Sequence, residues 1–101
     1  MVIISRAALH KFNSLYPVSA GALNDWYFKT KAADWKNLND IKQVFNSCDY
    51  IGNDRYVFDI MGNNYRLIAL IHFSERTLYI RGVMTHDEYD RATKSGKLKD
   101  L

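Results

Sequence analysis

Two arginines lie in stretches of the chain where an ordinary core strand would carry an aliphatic side chain. Arg66 lies in the apolar segment Tyr65–Phe73, and Arg81 lies in the segment Thr77–Met84. A guanidinium is costly among apolar neighbours unless it faces an open surface or finds a partner. Its planar fork also suits the oxygens of a phosphate group. The pattern therefore indicates two cations on adjacent strands that could grip a phosphate.

A histidine and a tyrosine follow the second of these segments. His86 comes directly after Thr85, and Tyr89 lies three residues later, so one turn of helix would put both on one face. Histidine exchanges protons near neutral pH, which makes His86 the best candidate for proton transfer. For Tyr89 three roles remain open: it could stack on a base, orient a phosphate or cover the core.

Each of these residues also has a purely structural explanation. Arg66 could lay its stem on the sheet and pair with Asp59 across a hairpin, and Arg81 has the same two explanations. His86 could cap a helix or pack at a strand end. His72 competes with it for proton transfer, but its position at the end of a strongly apolar strand favours a structural role.

The alternation of side chains along a strand sets a condition on this site. Arg81 and His86 are five positions apart, so a regular strand would point them to opposite faces. A bulge, or a turn after Met84, must re-aim His86 if the two are to act together.

The elements that carry these residues form the C-terminal half of the chain. Three apolar segments, Tyr56–Ile60, Tyr65–Phe73 and Thr77–Met84, are separated by the short joints Gly62–Asn64 and Ser74–Arg76. Short joints of this composition between strand-forming runs predict an antiparallel three-strand meander. Its core aromatic residues are predicted to be Tyr65 and Tyr79, with Trp26 and Trp35 from the helical half.

The N-terminal half reads as a strand followed by helices. Val2–Ile4 predicts an edge strand that joins the same sheet. Ser5 is predicted to cap a helix that begins at Arg6, and Pro17 should end it. This arrangement would bring the first helix against the sheet.

Two further helices are predicted before the meander. One runs from Ser19 to near Ala33. A shorter one is capped by Asn37, with Asp40 three residues on, and continues through Phe45. A strand at Tyr50–Ile51 precedes the meander, and Arg91–Lys99 is expected to be a fraying helical tail.

The fold class that follows is α+β in a single domain, residues 1–101. A small antiparallel sheet, made of the N-terminal strand and the C-terminal meander, packs with two to three N-terminal helices on one face.

Two segments of the meander, Gly62–Leu67 and Tyr79–Asp90, resemble the C-terminal half of HigB toxins. These proteins are mRNA interferases of type II toxin–antitoxin systems and have a RelE-like fold. The resemblance extends to Ile3–Leu9, Trp35–Asn37 and Asp40–Lys42, so it covers nearly the whole chain. The segment Tyr79–Asp90 is its most specific part.

The resemblance implies an endoribonuclease that cuts mRNA, commonly on the translating ribosome. In the implied metal-independent chemistry, the ribose 2′-hydroxyl attacks the adjacent phosphorus. Arg66 and Arg81 would hold the scissile phosphate, His86 would transfer a proton and Tyr89 would support them. The implied partner is a HigA-type helix-turn-helix antitoxin. The protein would contact DNA only indirectly, through this antitoxin.

The composition argues against several other classes of protein. A single cysteine, Cys48, excludes an internal disulfide and fits a reducing, cytoplasmic compartment. No signal peptide and no membrane span are expected. The sequence has no His/Cys spacing for zinc and no Gly-rich phosphate loop, so neither a metal nor a cofactor is expected.

The net charge of +3 permits a polyanionic partner without requiring one. Lys29, Lys31 and Lys36 could track an RNA backbone, although a lone surface lysine is usually just solvated. The alternative to an enzyme is a non-catalytic module that binds RNA or a protein through the same basic face.

Overall fold

A five-stranded mixed sheet forms the centre of the protein in a computed structural model that describes residues 1–101. The strands in chain order are β1 (Val2–Ile4), β2 (Asp49–Gly52), β3 (Arg55–Ile60), β4 (Tyr65–His72) and β5 (Thr77–Thr85). They are arranged in the order β1-β5-β4-β3-β2. β1 runs parallel to β5, and the other neighbours are antiparallel. The predicted meander and edge strand are confirmed.

Four helices connect or extend the strands: α1 (Ala7–Leu15), α2 (Ala20–Ala32), α3 (Leu38–Lys42) and α4 (His86–Ser95). Single 3-10 turns occupy Pro17–Ser19, Phe73–Glu75 and Leu98–Asp100. No helix is long and apolar enough to cross a membrane. Together with the five-stranded sheet, these helices confirm the α+β class predicted from the sequence.

The inner face of the sheet packs against α1, α2 and α3. Alternate residues of the central strands point to this face, as the two-residue period of a strand requires. Phe58 of β3 is fully buried, with the ring of Trp26 edge-on at 5.5 Å and that of Trp35 stacked at 6.1 Å. This aromatic cluster confirms the predicted core role of both tryptophans and fixes the helices on the sheet.

Two local predictions in the helical half need correction. Ser5 does not cap α1 with its hydroxyl. Its backbone lies in the left-handed region (φ 76°), where the chain turns sharply from β1, and its carbonyl accepts from the Ala8 amide instead. Asn37 does cap α3, accepting from the Asp40 amide at 2.9 Å, but α3 ends at Lys42 rather than continuing through Phe45.

The outer face carries a fourth helix, whose first turn the sequence analysis anticipated and whose second half it treated as a fraying tail. α4 begins with a reciprocal cap: the Thr85 hydroxyl accepts from the Glu88 amide, and the Glu88 carboxylate accepts from the Thr85 amide. Beyond α4, Leu98 is buried against Val57 and Ile68. The expectation of a fraying tail was therefore wrong, because this apolar contact returns the chain to the sheet.

A β-bulge in β5 changes which side chains reach the outer face. Ile68 pairs with Gly82 and Ala69 pairs with Ile80, which leaves Arg81 as an extra residue. Before the bulge Ile80 belongs to the inner core, and after it Met84 packs on the outer face. The bulge thus supplies the change of direction that the sequence pattern demanded before His86.

We expect Leu98→Ala to lower the free energy of unfolding by about 2–4 kcal/mol, because it empties a buried site between β3 and β4. Urea denaturation followed by circular dichroism measures the change. Lys97→Ala, at an exposed neighbouring position, is the matched control and should unfold like the parent. Equal urea midpoints for Leu98→Ala and Lys97→Ala would mean that the C-terminal turn does not pack against the sheet.

Candidate functional site

Arg66 is buried on the outer face of β4, with only 8% of its surface exposed. Its Nε lies 3.1 Å from Oδ1 of Asp59, which stands directly opposite on β3. Nη1 donates to the Tyr65 carbonyl at 3.0 Å, and Nη2 donates to the side-chain oxygen of Asn63. A guanidinium has five N–H donors, so at least two remain for an incoming oxygen. Arg66 is thus both neutralised and fixed in direction.

Tyr89 covers Arg66 from the side of α4. The Cζ atom of Arg66 lies 5.4 Å from the centre of the tyrosine ring, within the range of a cation–π contact. Tyr89 also packs with the small apolar cluster beneath α4. Its half-buried ring therefore joins the helix to the arginine, whatever further role the hydroxyl has.

His86 lies at the first turn of α4, held by two contacts. Its backbone amide donates to the Asn64 carbonyl at 3.1 Å, which ties the start of α4 to the β3–β4 hairpin beside Arg66. Its Nδ1 lies 3.0 Å from Oδ2 of Asp90, one turn further on. Because this carboxylate occupies Nδ1, the ring is oriented with Nε2 left for proton exchange.

Arg81 stands apart from this group. It is the extra residue of the bulge, its side chain is exposed, and no carboxylate lies within ion-pairing distance. Arg66 is opposite Met84, so Arg81 is roughly 10 Å further along the strand. The structure therefore gathers Arg66, Tyr89 and His86 in one place and sets Arg81 beside them, without a contact between the two arginines.

His72 occupies the far end of β4, six residues from Arg66 and roughly 20 Å away. Its Nδ1 lies 3.6 Å from Oε2 of Glu75, and its ring meets that of Tyr79 edge-on at 5.9 Å. This position keeps His72 away from Arg66. Its structural role remains a prediction.

The three lysines predicted to contact RNA belong to the helical layer on the inner side of the sheet. Lys29 forms an ion pair with Asp25 at 3.0 Å, and Lys31 lies 5.9 Å from the ring of Tyr27. Lys36 follows α2 near Trp35. The sheet separates them from Arg66, and their role in binding remains a prediction.

Three site features escaped the sequence analysis. Asn63 was taken only as a turn residue, although a polar side chain three positions before a buried arginine signals a possible partner. Asp90 was not proposed as a site residue, although its spacing of four from His86 predicts a contact on one helix face. Tyr79 was predicted to lie in the core, but it is half-buried on the outer face. That prediction was wrong because the core residues of β5 before the bulge are Leu78 and Ile80.

Two other groups bear on the chemistry. Cys48 is fully buried, and burial raises the pKa of its thiol to about 12, so the thiol stays protonated at neutral pH and is a poor nucleophile. His86, Asp87 and Asp90 bring one potential ligand atom each within 4.8 Å of one another, with both carboxylates exposed. Exposed groups of this kind are common at helix starts, where acids favour the dipole.

We expect Asp59→Ala to destabilise the protein by about 1–3 kcal/mol, because it leaves the Arg66 charge buried with no counter-charge. Chemical denaturation measures the loss. Asp34→Ala is the matched control, since it removes an exposed ion pair with Arg76 and should change stability little. Replacing both partners (Asp59→Leu with Arg66→Met) should recover part of the loss. A stable Asp59→Ala variant would contradict the importance of this pair.

Known proteins resemble this chain over most of its length. The model of a family described as HigB_toxin, the RelE-like toxic component of a toxin-antitoxin system, matches residues 19–92. The mRNA interferase HigB of Escherichia coli O6:H1 (strain CFT073) is 33% identical over 96 residues, which are 93% of this chain and 93% of that protein.

Two further relatives match a shorter stretch. The mRNA interferase toxin HigB of Escherichia coli K12 and the mRNA interferase HigB of Shigella flexneri are each 40% identical over 68 residues, 64% of either chain. The family model spans most of the chain, including Arg66, Arg81, His86 and Tyr89. The chain therefore belongs to the HigB toxin family, the RelE-like toxic components of toxin–antitoxin systems.

Proposed function

We propose that this protein is an endoribonuclease that cleaves mRNA and acts as the toxin of a type II toxin–antitoxin pair. One observation carries the proposal: Arg66, Tyr89 and the His86–Asp90 pair converge at the junction of β4 and α4 in a chain of the HigB family. In RNA cleavage without a metal, a fixed cation can stabilise the charge on the phosphate, and an imidazole can transfer a proton.

The proposed reaction is attack of the ribose 2′-oxygen on the adjacent phosphorus. The bond from phosphorus to the 5′-oxygen breaks, which leaves a 2′,3′-cyclic phosphate and a 5′-hydroxyl. The 2′-hydroxyl gives up a proton, and the departing 5′-oxygen takes one. Nε2 of His86 is assigned to one of these transfers, since Asp90 holds the other nitrogen.

The two arginines would contribute differently to this reaction. Arg66 is already balanced by Asp59, so it would serve mainly to direct its free N–H donors at a phosphate oxygen. Arg81 carries a charge that no carboxylate offsets, and would supply most of the attraction for the developing negative charge. Tyr89 would keep Arg66 in place and present its ring to the substrate.

The partners follow from this assignment as further proposals. The substrate is mRNA, met on the translating ribosome in the cytoplasm, and the Lys29, Lys31 and Lys36 side chains would contact RNA away from the cut. A HigA-type helix-turn-helix antitoxin would neutralise the toxin and would be its only link to DNA. No metal or cofactor enters the proposed chemistry.

We expect His86→Ala to lower mRNA cleavage roughly 100- to 10,000-fold, the usual contribution of one proton-transferring side chain. The measurement is mapping of mRNA 5′ ends after induction in a bacterial host, at matched folded concentration. His10→Ala, an exposed histidine on α1, is the control and should remain active.

Other results of this experiment would revise the assignment. Full activity in His86→Ala would show that it transfers no proton, and a loss in His72→Ala instead would move that role to the far end of β4. If isolated RNA is cleaved, a chelator should leave the activity intact. If the chelator abolishes cleavage and only a divalent ion restores it, the metal-free reaction is contradicted.

We expect Arg81→Ala to abolish growth inhibition without unfolding the protein, because an exposed, unpaired guanidinium contributes little to the sheet. Loss of one contact to a developing oxyanion costs roughly 100- to 1,000-fold in rate. Arg76→Ala is the matched control, an exposed arginine at the other end of β5. If Arg81→Ala is inactive and its melting temperature, measured by circular dichroism, is also lowered, the role of Arg81 is structural.

A further inference from the structure

The half of the outer face nearest β1 has no helix over it. α4 and the C-terminal turn cover β2, β3 and β4, where Ile51, Val57 and Ile68 contact them. On β1, by contrast, the outward side chains Val2 and Ile4 are 59% and 41% exposed. A strip of sheet along β5 and β1 is therefore open to a partner.

Tyr79 lies in the middle of this open strip. Its half-buried ring is held from two sides, by the edge of the His72 ring at 5.9 Å and by the Arg81 guanidinium 5.6 Å from its centre. The tyrosine is thus presented on the sheet surface in a fixed position, with a cation beside it.

The charge of the strip favours an anion. Arg81 has no carboxylate within ion-pairing distance, and Glu75, which lies near this end of β5, is placed against His72. The bulge holds Arg81 and Gly82 on the same side of the strand, so the guanidinium stays over the strip rather than turning toward the core.

We propose that Tyr79, beside the phosphate-binding Arg81, is a stacking platform for an unpaired base of the RNA strand, beyond the nucleotide that is cut. An aromatic ring accepts any base by stacking, and an adjacent arginine can reach the phosphate or add a cation–π contact. Single-stranded RNA is commonly held in this way by aromatic residues on an open sheet face. The proposal rests on the proposed function and extends it to a second contact site.

The distance along β5 fixes what this platform does. Tyr79 and Thr85 are six residues apart, so the platform lies roughly 20 Å from the start of α4 and His86. A base on Tyr79 therefore belongs to a flanking nucleotide, and the platform would strengthen binding without taking part in the reaction.

The test is equilibrium binding of a fluorescent, 2′-O-methylated oligoribonucleotide, followed by anisotropy. Methylation blocks the attacking hydroxyl, so binding is measured whether or not the protein cleaves RNA. Tyr79→Leu keeps an apolar side chain but removes the ring, and should weaken binding roughly 5- to 150-fold. Tyr79→Phe keeps the ring and should bind close to the parent, which a role for the hydroxyl would not give. Weaker binding by Tyr79→Leu at an unchanged melting temperature would exclude a merely structural effect.

Tyr50→Leu is the matched control, an exposed tyrosine on β2 at the opposite edge of the sheet, and should bind as the parent does. Parent-like binding by Tyr79→Leu at an unchanged melting temperature would overturn the platform. So would a Tyr79→Leu variant that binds RNA normally but loses a protein partner. Failure of the proposed cleavage alone would leave the binding comparison intact, so the two proposals can fail separately.

Discussion

The ion pair between Arg66 and Asp59 is the interaction on which the candidate site depends. A guanidinium buried to 8% exposure in a strand would oppose folding if it were unpaired, and a carboxylate on the neighbouring strand removes that cost. The pair also fixes the plane of the guanidinium, on which Tyr89 then rests. Tyr89 thereby links α4 to this pair, while the Asn64 carbonyl holds the start of the helix and Leu98 packs beyond its end. The charge that seemed out of place in an apolar strand is therefore what joins the site to the sheet.

The two arginines that look equivalent in the sequence have opposite electrostatic states in the fold. Arg66 is enclosed and balanced, whereas Arg81 is exposed and unbalanced. Arg66 stands opposite Asp59 on β3, whereas Arg81 is the extra residue of the bulge in β5 and has no cross-strand partner. Arg66 can orient a phosphate oxygen because its guanidinium is fixed, and Arg81 can attract a phosphate because its charge is not paired. The two side chains together therefore suit a nucleic-acid ligand.

Much of the fold could be predicted from local chemistry. Turn residues separated the three strands of the meander, and the spacing of Asn37 and Asp40 predicted a capped helix. α4 was underestimated because part of the contact that holds it to the sheet comes from Leu98, beyond the end of the helix and between two lysines. In the site, the partner of Arg66 was foreseen as an alternative, but the outward position of Tyr79 was not. The local sequence of a strand does not predict which of its two faces will remain free of a helix.

The packing of α4 has a further consequence for how the protein moves. None of its residues is buried, and it rests on a cluster with only three buried members, compared with 18 in the core on the other face. Regions with few apolar contacts open at lower free energy than the whole domain. α4 can therefore separate from the sheet while the inner core stays folded, and each such opening would carry His86 and Tyr89 away from Arg66. The assembled site is thus a population within the native ensemble, whose size can change without any change in global stability.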